Sequence, residues 1–379
     1  MRSISLLFVA TLLDISFAAD LLHVQALWRH GDRSPLGTYK NDPYQENLWP
    51  VPWGELTNDG MEQQYQQGLK LKKRFIDQYG FVNRTYHVSD IRVRSTDIDR
   101  TLMSAYANLA AFYSSSKTTH PSATSWPSHW SPVPIHTVEH STDHLLNAQP
   151  DCIRMDELEA EQVVHKEFAE FMLEQLPLLE ELSEKSGTKI TDFKGLRNLC
   201  DALKIERIHN MTIPDWANEL FHKIESLIDQ GEDYLAGSAG FGRGERTELI
   251  MLKGGELLKE IIGNMESAKG GSRHPRYHAY SAHDTTVAAF LRTLGAKQGV
   301  LGLKQPDFAA VVIVELWSIN HNDYYVRLAY SANAETPFKT FTSSISGCPN
   351  QEYCPIDAFV KRSEKYIPKD IKLQCDKLL

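Results

Sequence analysis

Hydrophobic and polar positions change rhythm several times along the chain. Leu21–Trp28 is a short apolar run with rough alternation, which predicts a β-strand. It stops at Arg29-His30-Gly31-Asp32-Arg33-Ser34-Pro35, where Gly and Pro break the pattern. Residues 36–55 are rich in Pro, Tyr, Trp and Asn and read as a loop packed by aromatics. Thr57 can cap a helix from Asn58 through Phe75. Asp90–Arg94 predicts a second strand, followed at once by the capping cluster Ser95–Asp99 and a helix to about Phe112. A Pro-, Ser- and Trp-rich passage covers Thr118–Pro134, with a further strand expected over Val133–Val138.

From Cys152 to about Glu266 the period becomes helical. Glu161–Leu182 and Ile213–Asp229 are long amphipathic segments with few strand signals nearby, which predicts an α-helical insertion. The Gly-rich Gly237–Gly244 inside it reads as a surface loop, because no strand precedes it and no Gly-Lys-Ser/Thr follows. Strand character returns at Arg276–Ser281. His283-Asp284 and a helix over Thr285–Leu294 come next, ended by Gly295, then strands over Ala309–Leu316 and Tyr324–Leu328. Strands alternating with helices predict an α/β sheet covered on both faces. The expected division is an α/β domain over 19–151 and 267–379, interrupted by a helical insertion over 152–266.

Residues 1–18 read as a secretory signal. Arg2 gives the positive start, Ile4–Leu13 the apolar run, and Ser16-Phe17-Ala18 the small residues before a cut after Ala18. The run is too short to span roughly 30 Å of hydrocarbon. No second apolar stretch of spanning length follows, so the mature protein is expected to be soluble, with no membrane span. The sequons at Asn83 and Asn210 fit the same route. Of five cysteines, Cys348 and Cys354 flank a short loop and are natural partners; one of the five must be left over, and connectivity is otherwise open. Their spacing matches no zinc pattern, so neither metal nor cofactor is expected.

The formal net charge of −9 makes the chain a poor candidate for nucleic-acid binding, which needs a basic stripe, and no nucleic-acid partner is expected. It also makes a local gathering of arginines more telling. Segments 29–35, 94–99 and 283–284 each place polar residues at a strand's carboxyl end, where open α/β sheets bind ligands. After the second and third a helix begins at once, so free backbone N–H groups favour an anion there. Arg29, Arg33 and Arg94 offer three guanidinium forks for phosphate oxygens. His30 and His283 add imidazoles and Asp284 a carboxyl; with no activated hydroxyl or thiol in the set, imidazole is the natural nucleophile and Asp284 the natural proton donor.

Arg29–Pro35 resembles the R-H-G-x-R-x-P signature of the histidine acid phosphatases. Leu56–Gln63, Arg94–Thr101, Gly254-Gly255 and Ser281–Thr286 are similar to stretches of the animal prostatic and lysosomal acid phosphatases, in the same order from about residue 21 to 375. The resemblance implies a mixed central sheet flanked by helices with an inserted α-helical cap, the histidine phosphatase fold. It implies His30 as nucleophile, Asp284 as general acid, and Arg29, Arg33, Arg94 and His283 as holders of the phosphoryl oxygens. It also implies bridges Cys152–Cys375 and Cys348–Cys354, and leaves Cys200 a free thiol facing an apolar residue near Val311. Phosphate monoesters are the implied substrates, a homodimer is left open, and a secreted protein is favoured over a lysosomal one. Three rival readings are set beside it: a phytase-like inositol phosphate hydrolase, against which the acidic balance argues mildly; a secreted binding protein of the same fold without turnover, although nucleophile and proton donor are both present; and a metal-dependent hydrolase, which no ligand spacing supports.

Overall fold

The computed structural model describes residues 19–117, 119–272, 275–320 and 323–376; the expected signal segment 1–18 lies outside them. The strands are β1 (Ala19–Arg29), β2 (Ile91–Ser95), β3 (Ile135–His136), β4 (Tyr277–Ala282), β5 (Val311–Ile319), β6 (Asp323–Ser331), β7 (Lys339–Thr340) and β8 (Cys354–Pro355). They form one mixed sheet in the order β3-β2-β4-β1-β5-β6-β7, with β8 also on β6. The strands β3, β2, β4 and β1 run parallel, whereas β5 and β6 are antiparallel to their neighbours. Register decides where the chemistry lies. Arg29 pairs with Ala282 and Ser95 with Ser281, so three chain segments leave the sheet side by side at one carboxyl edge.

The period-2 alternation of β1 puts Val24, Ala26 and Trp28 on one face and Leu27 on the other. The helices α1 (Asn58–Lys72) and α2 (Asp99–Phe112) cover the first face, where Leu71, Phe75, Leu109 and Phe112 pack on Val24 and Trp28. Thr57 caps α1, its hydroxyl accepting from Gly60 N at 3.0 Å. The expected strand over Val133–Val138 shrinks to the two ladder residues of β3.

The middle of the chain is helical, with two corrections. Glu161–Leu182 is not one helix but parts of three: α3 (Ile153–Val163), α4 (Lys166–Glu174) and α5 (Leu176–Ser186). Pro177 lies in the first turn of α5; in a continuous helix it would lack its hydrogen bond and clash with the preceding turn. α5, α6 (Phe193–Ile208) and α7 (Asp215–Leu235) share their own apolar core, which contains Leu182, Leu203 and Ile224. Cys200 is buried there as the free cysteine among the described residues. Val311 packs in the separate sheet core, so the two do not face each other as expected.

The helix α8 (Thr247–Lys269), although inside the segment read as an insertion, packs on the sheet through Leu258, Ile261 and Met265, against Leu27 and Tyr280. It meets α9 (Asp284–Thr293) closely, because a Cβ at Gly254 would come within 2.8 Å of the Ala289 carbonyl. Cys152 bonds Cys375 and Cys348 bonds Cys354. No helix of the described residues is long and apolar enough to cross a membrane.

Candidate active site

His30 is the first residue beyond β1. Its N–H donates to the Ala282 carbonyl (2.9 Å), and its own carbonyl accepts from Ala309 N (3.0 Å), which fixes it between β4 and the start of β5. The imidazole is buried. Its Nδ1 lies 2.7 Å from the Gly31 carbonyl, so the neutral ring donates from Nδ1 and leaves the Nε2 lone pair free. Burial, then the charges of Arg29 and Arg100 and the nearby His283 and Arg33, push its pKa well below 6.5. A neutral imidazole in acid is what a nucleophile requires.

The loop that carries His30 is held by α1. A Cβ on Gly31 would fall 2.1 Å from the Gly60 carbonyl, and one on Gly60 would fall 2.1 Å from the Asp32 carbonyl. Only two glycines let these backbones touch. Gln63 accepts from Asp32 N (2.8 Å), Gln64 donates to the Arg29 carbonyl (2.7 Å), and the Thr57 hydroxyl donates to Asp32 Oδ2 (2.5 Å). His209, between α6 and α7, adds a 2.9 Å contact from Nε2 to the same Asp32 oxygen. The Asp32 hydrogen bond holds the His209 pKa above its ordinary value.

Three guanidiniums bear on this imidazole. Arg29 donates from Nη1 to the Pro306 carbonyl (2.6 Å), pairs through Nη2 with Asp284 Oδ2 (2.8 Å), and stacks 4.1 Å from the centre of the Phe308 ring. Arg33 is gripped by Asp201 of α6, with Nη2–Oδ1 at 2.9 Å and Nη1–Oδ2 at 3.2 Å. Arg100 stands in the first turn of α2, and burial and Arg33 lower its pKa to about 10, so it stays charged in acid. The Nε atoms of all three are buried without a protein acceptor. Donors left that way cost free energy unless an acceptor arrives, and an oxyanion supplies several.

His283 and Asp284 follow β4 at the same edge. The His283 ring stands edge-on to His30 with centroids 5.5 Å apart, and its Nε2 is 3.0 Å from Thr96 Oγ1. Burial and Arg100 lower its pKa to about 3, so it too is neutral. Asp284 opens α9, with Oδ1 accepting from Thr285 N at 2.7 Å. Burial raises its pKa, but Arg29, Arg33 and His283 outweigh it and hold the carboxyl below its usual value.

Of the residues expected from sequence, the fold brings together Arg29, His30, Arg33, His283 and Asp284. Arg94 is the exception. It lies within β2 opposite Tyr280, and its guanidinium pairs with buried Asp143 (Nη2–Oδ2 2.8 Å) and bonds the Ser95 carbonyl. The third guanidinium beside His30 is that of Arg100, which the sequence reading passed over, although it begins the helix after the strand. Asp201 was also missed, and no local signal marks it. Of the sequons, Asn83 and Asn210 are both exposed; the Asn83 amide donates to Asp90.

A family model described as histidine phosphatase superfamily, branch 2, matches residues 20–331. The chain is 35% identical to the prostatic acid phosphatase of Mus musculus, covering 98% of this chain and 93% of that one. It is 33% identical to the lysosomal acid phosphatase of Rattus norvegicus, covering 94% and 81%. Among solved structures, the Citrobacter braakii phytase superposes with a TM-score of 0.65 at 15% identity, covering 93% of this chain and 99% of that one. The Hafnia alvei phytase in complex with myo-inositol hexakis sulphate gives 0.64 at 17% identity, covering 93% and 98%. At such identities these two show a common fold.

Proposed function

The chain belongs to branch 2 of the histidine phosphatase superfamily, and from that premise we propose that it is a secreted acid phosphatase that hydrolyses phosphate monoesters through a phosphohistidine on His30. One observation carries the reading: a neutral, buried imidazole surrounded by three guanidiniums whose buried Nε–H groups have no protein acceptor, with a carboxyl 2.8 Å from one of them. The leader pattern of residues 1–18, the two cysteine cross-links and the exposed sequons support export.

The phosphoryl group sits against Arg29, Arg33 and Arg100, with its phosphorus in line with His30 Nε2; positioning and charge compensation supply most of such catalysis. The lone pair of Nε2 forms the N–P bond as the ester P–O bond breaks. The leaving oxygen takes the proton of Asp284. Water then attacks phosphorus, gives its proton to the Asp284 carboxylate, and the N–P bond breaks to release phosphate and neutral His30. The anionic substrate competes with Asp284 for Arg29, which removes the charge holding that carboxyl ionised and favours its proton.

The sign of the pH dependence follows. His30 is neutral across the working range because its pKa is lowered, so the limiting group is Asp284, which must be protonated. We expect kcat/KM for an alkyl monoester such as glycerol phosphate to fall as pH rises past the ordinary carboxylate value of about 3.9, and still to be falling between pH 6 and 8, approaching tenfold per pH unit. A purified-enzyme profile that is flat or peaks at neutrality would overturn the acid reading.

The exchange of Arg94 for Arg100 is also testable. Arg100→Gln removes a donor aimed at the phosphoryl oxygens and should lower kcat/KM about 10²- to 10³-fold with little change in unfolding midpoint. Arg94→Gln strands the buried carboxylate of Asp143 and should cost about 3–5 kcal/mol of stability, with kcat/KM of the folded enzyme kept within a few fold. The reverse pattern in paired kinetics and urea unfolding would restore Arg94 to the site.

A further inference from the structure

The segment that carries His30 and Arg33 is held by two helices. α1 holds it through Gly60, Gln63 and Gln64, and α6 holds it through Asp201, with His209 just beyond the helix end. α6 belongs to the apolar core of the inserted helices, apart from both cores of the sheet, so Asp201 reaches the site from a separately packed unit. A guanidinium has five N–H donors in one plane. In Arg33, Nη1 donates to the Ser34 carbonyl (2.9 Å) and to Asp201 Oδ2 (3.2 Å), while Nη2 donates to Asp201 Oδ1 (2.9 Å). What remains is the Nε–H, buried without a protein acceptor, and the second hydrogen of Nη2. These two lie side by side on one edge and make the fork that takes two oxygens of one phosphate. Asp201 is itself fixed, because its Oδ2 also accepts from Leu36 N at 3.0 Å.

Resting on the phosphatase reading, we propose that Asp201 is a positioning residue: it occupies the Nη1/Nη2 edge of Arg33 and so presents the Nε/Nη2 fork to the phosphoryl group. Arg33 is among the charges that act on both His30 and Asp284, so the group it presents bears on the reacting centre. If charge alone mattered, a carboxylate beside a phosphate-binding arginine would be a handicap, because it offsets the positive charge that draws the anion. Its benefit is orientation. An arginine side chain has many rotamers, and one already held by three hydrogen bonds loses less freedom when phosphate arrives. The two roles therefore predict opposite effects on phosphate affinity when the carboxylate is removed.

The test is Asp201→Asn, which keeps the shape and an oxygen for Leu36 N but can no longer accept from both Nη atoms. Calorimetric titration with inorganic phosphate at pH 5 should show binding weakened about tenfold, and kcat/KM for p-nitrophenyl phosphate should fall about 10- to 10²-fold, the scale of a misplaced positioning group. The urea midpoint should stay near that of the parent, because the Asp201 side chain is 24% exposed and its ion pair with Arg33 adds little to stability. In an Arg33→Ala background the same exchange should leave phosphate affinity and kcat/KM within about twofold, since the group through which Asp201 acts is gone. Unchanged or tighter phosphate binding in the single variant would mean that Asp201 only offsets charge. A full second loss in the Arg33→Ala background would mean that it acts on the loop through Leu36, and a collapsed urea midpoint that it is a structural contact. Each of these overturns the proposal and leaves the phosphatase reading standing. If no ester is hydrolysed but Asp201→Asn still weakens phosphate binding, the phosphatase reading falls and the placing of Arg33 by Asp201 stands.

Discussion

Replacing His30 with alanine should abolish hydrolysis of p-nitrophenyl phosphate at pH 5, lowering kcat by at least about 10⁴-fold, because the rest of the site can position a phosphate but offers it no electron pair. His30 is the imidazole that faces Arg29, Arg33 and Arg100 with Nε2 free; His283 engages Thr96 through the corresponding nitrogen. The hydroxyls near the site are otherwise engaged. Ser34 donates to the Pro52 carbonyl at 2.5 Å and Ser95 to the Thr96 carbonyl at 2.9 Å. Loss of activity alone does not separate a missing nucleophile from a collapsed site, so a second measurement belongs with it. Rapid quench of the parent enzyme should trap a phosphoenzyme that is labile in acid and stable in base, as a P–N bond is. The variant should show none, yet still bind inorganic phosphate within about tenfold, since the arginines remain. A phosphoenzyme that survives His30→Ala would move the covalent bond to another residue.

The sheet was legible because burial leaves a plain signature. β1 and β4 are flanked on both sides, so their segments read as apolar runs, and the polar residues just past them could be assigned to the carboxyl edge. That argument placed His30, His283 and Asp284, each within two residues of a strand end. It failed for Arg94 because the arginine lies inside the strand and not beyond it. Val93 on one side of β2 faces the core, so alternation turns Arg94 to the opposite face, where Asp143 meets it. Arg100, five residues past Ser95, satisfies the edge criterion better. The helical segment was read correctly as helical, but periodicity cannot report what a helix packs against. α7 buries one face, whereas α8 is buried almost all round from Leu249 to Leu258, and only tertiary contact shows that the sheet is among the surfaces covering it. Asp201 had no signal at all, being 168 residues from the arginine it holds.

Asp284→Asn should separate leaving groups. For alkyl phosphates, whose alkoxide is a poor leaving group, kcat should fall about 10²- to 10⁴-fold, the range that a positioned general acid supplies. For p-nitrophenyl phosphate, whose phenolate departs without help, the loss should stay below about tenfold. The carboxyl is placed for this, because Oδ2 lies 2.8 Å from Arg29 Nη2 and Oδ1 is anchored on Thr285 N, so it faces the position of a phosphate held by Arg29. Removing its charge also frees Arg29, so KM for both ester classes should fall or hold while kcat for one of them collapses. The fall in kcat/KM between pH 6 and 8 seen with an alkyl ester should flatten in the variant, since the group that must carry the proton is gone. Stability gives an independent sign. The folded-state pKa of Asp284 is depressed, so its ion pair stabilises the fold above the ordinary carboxylate value of about 3.9, and that contribution is lost as pH falls through the lower folded value. The variant should therefore be less stable than the parent at pH 6, with the gap closing toward pH 3. Equal losses on both ester classes would leave Asp284 a partner for Arg29 alone, and the proton donor would have to be sought among the other groups around His30.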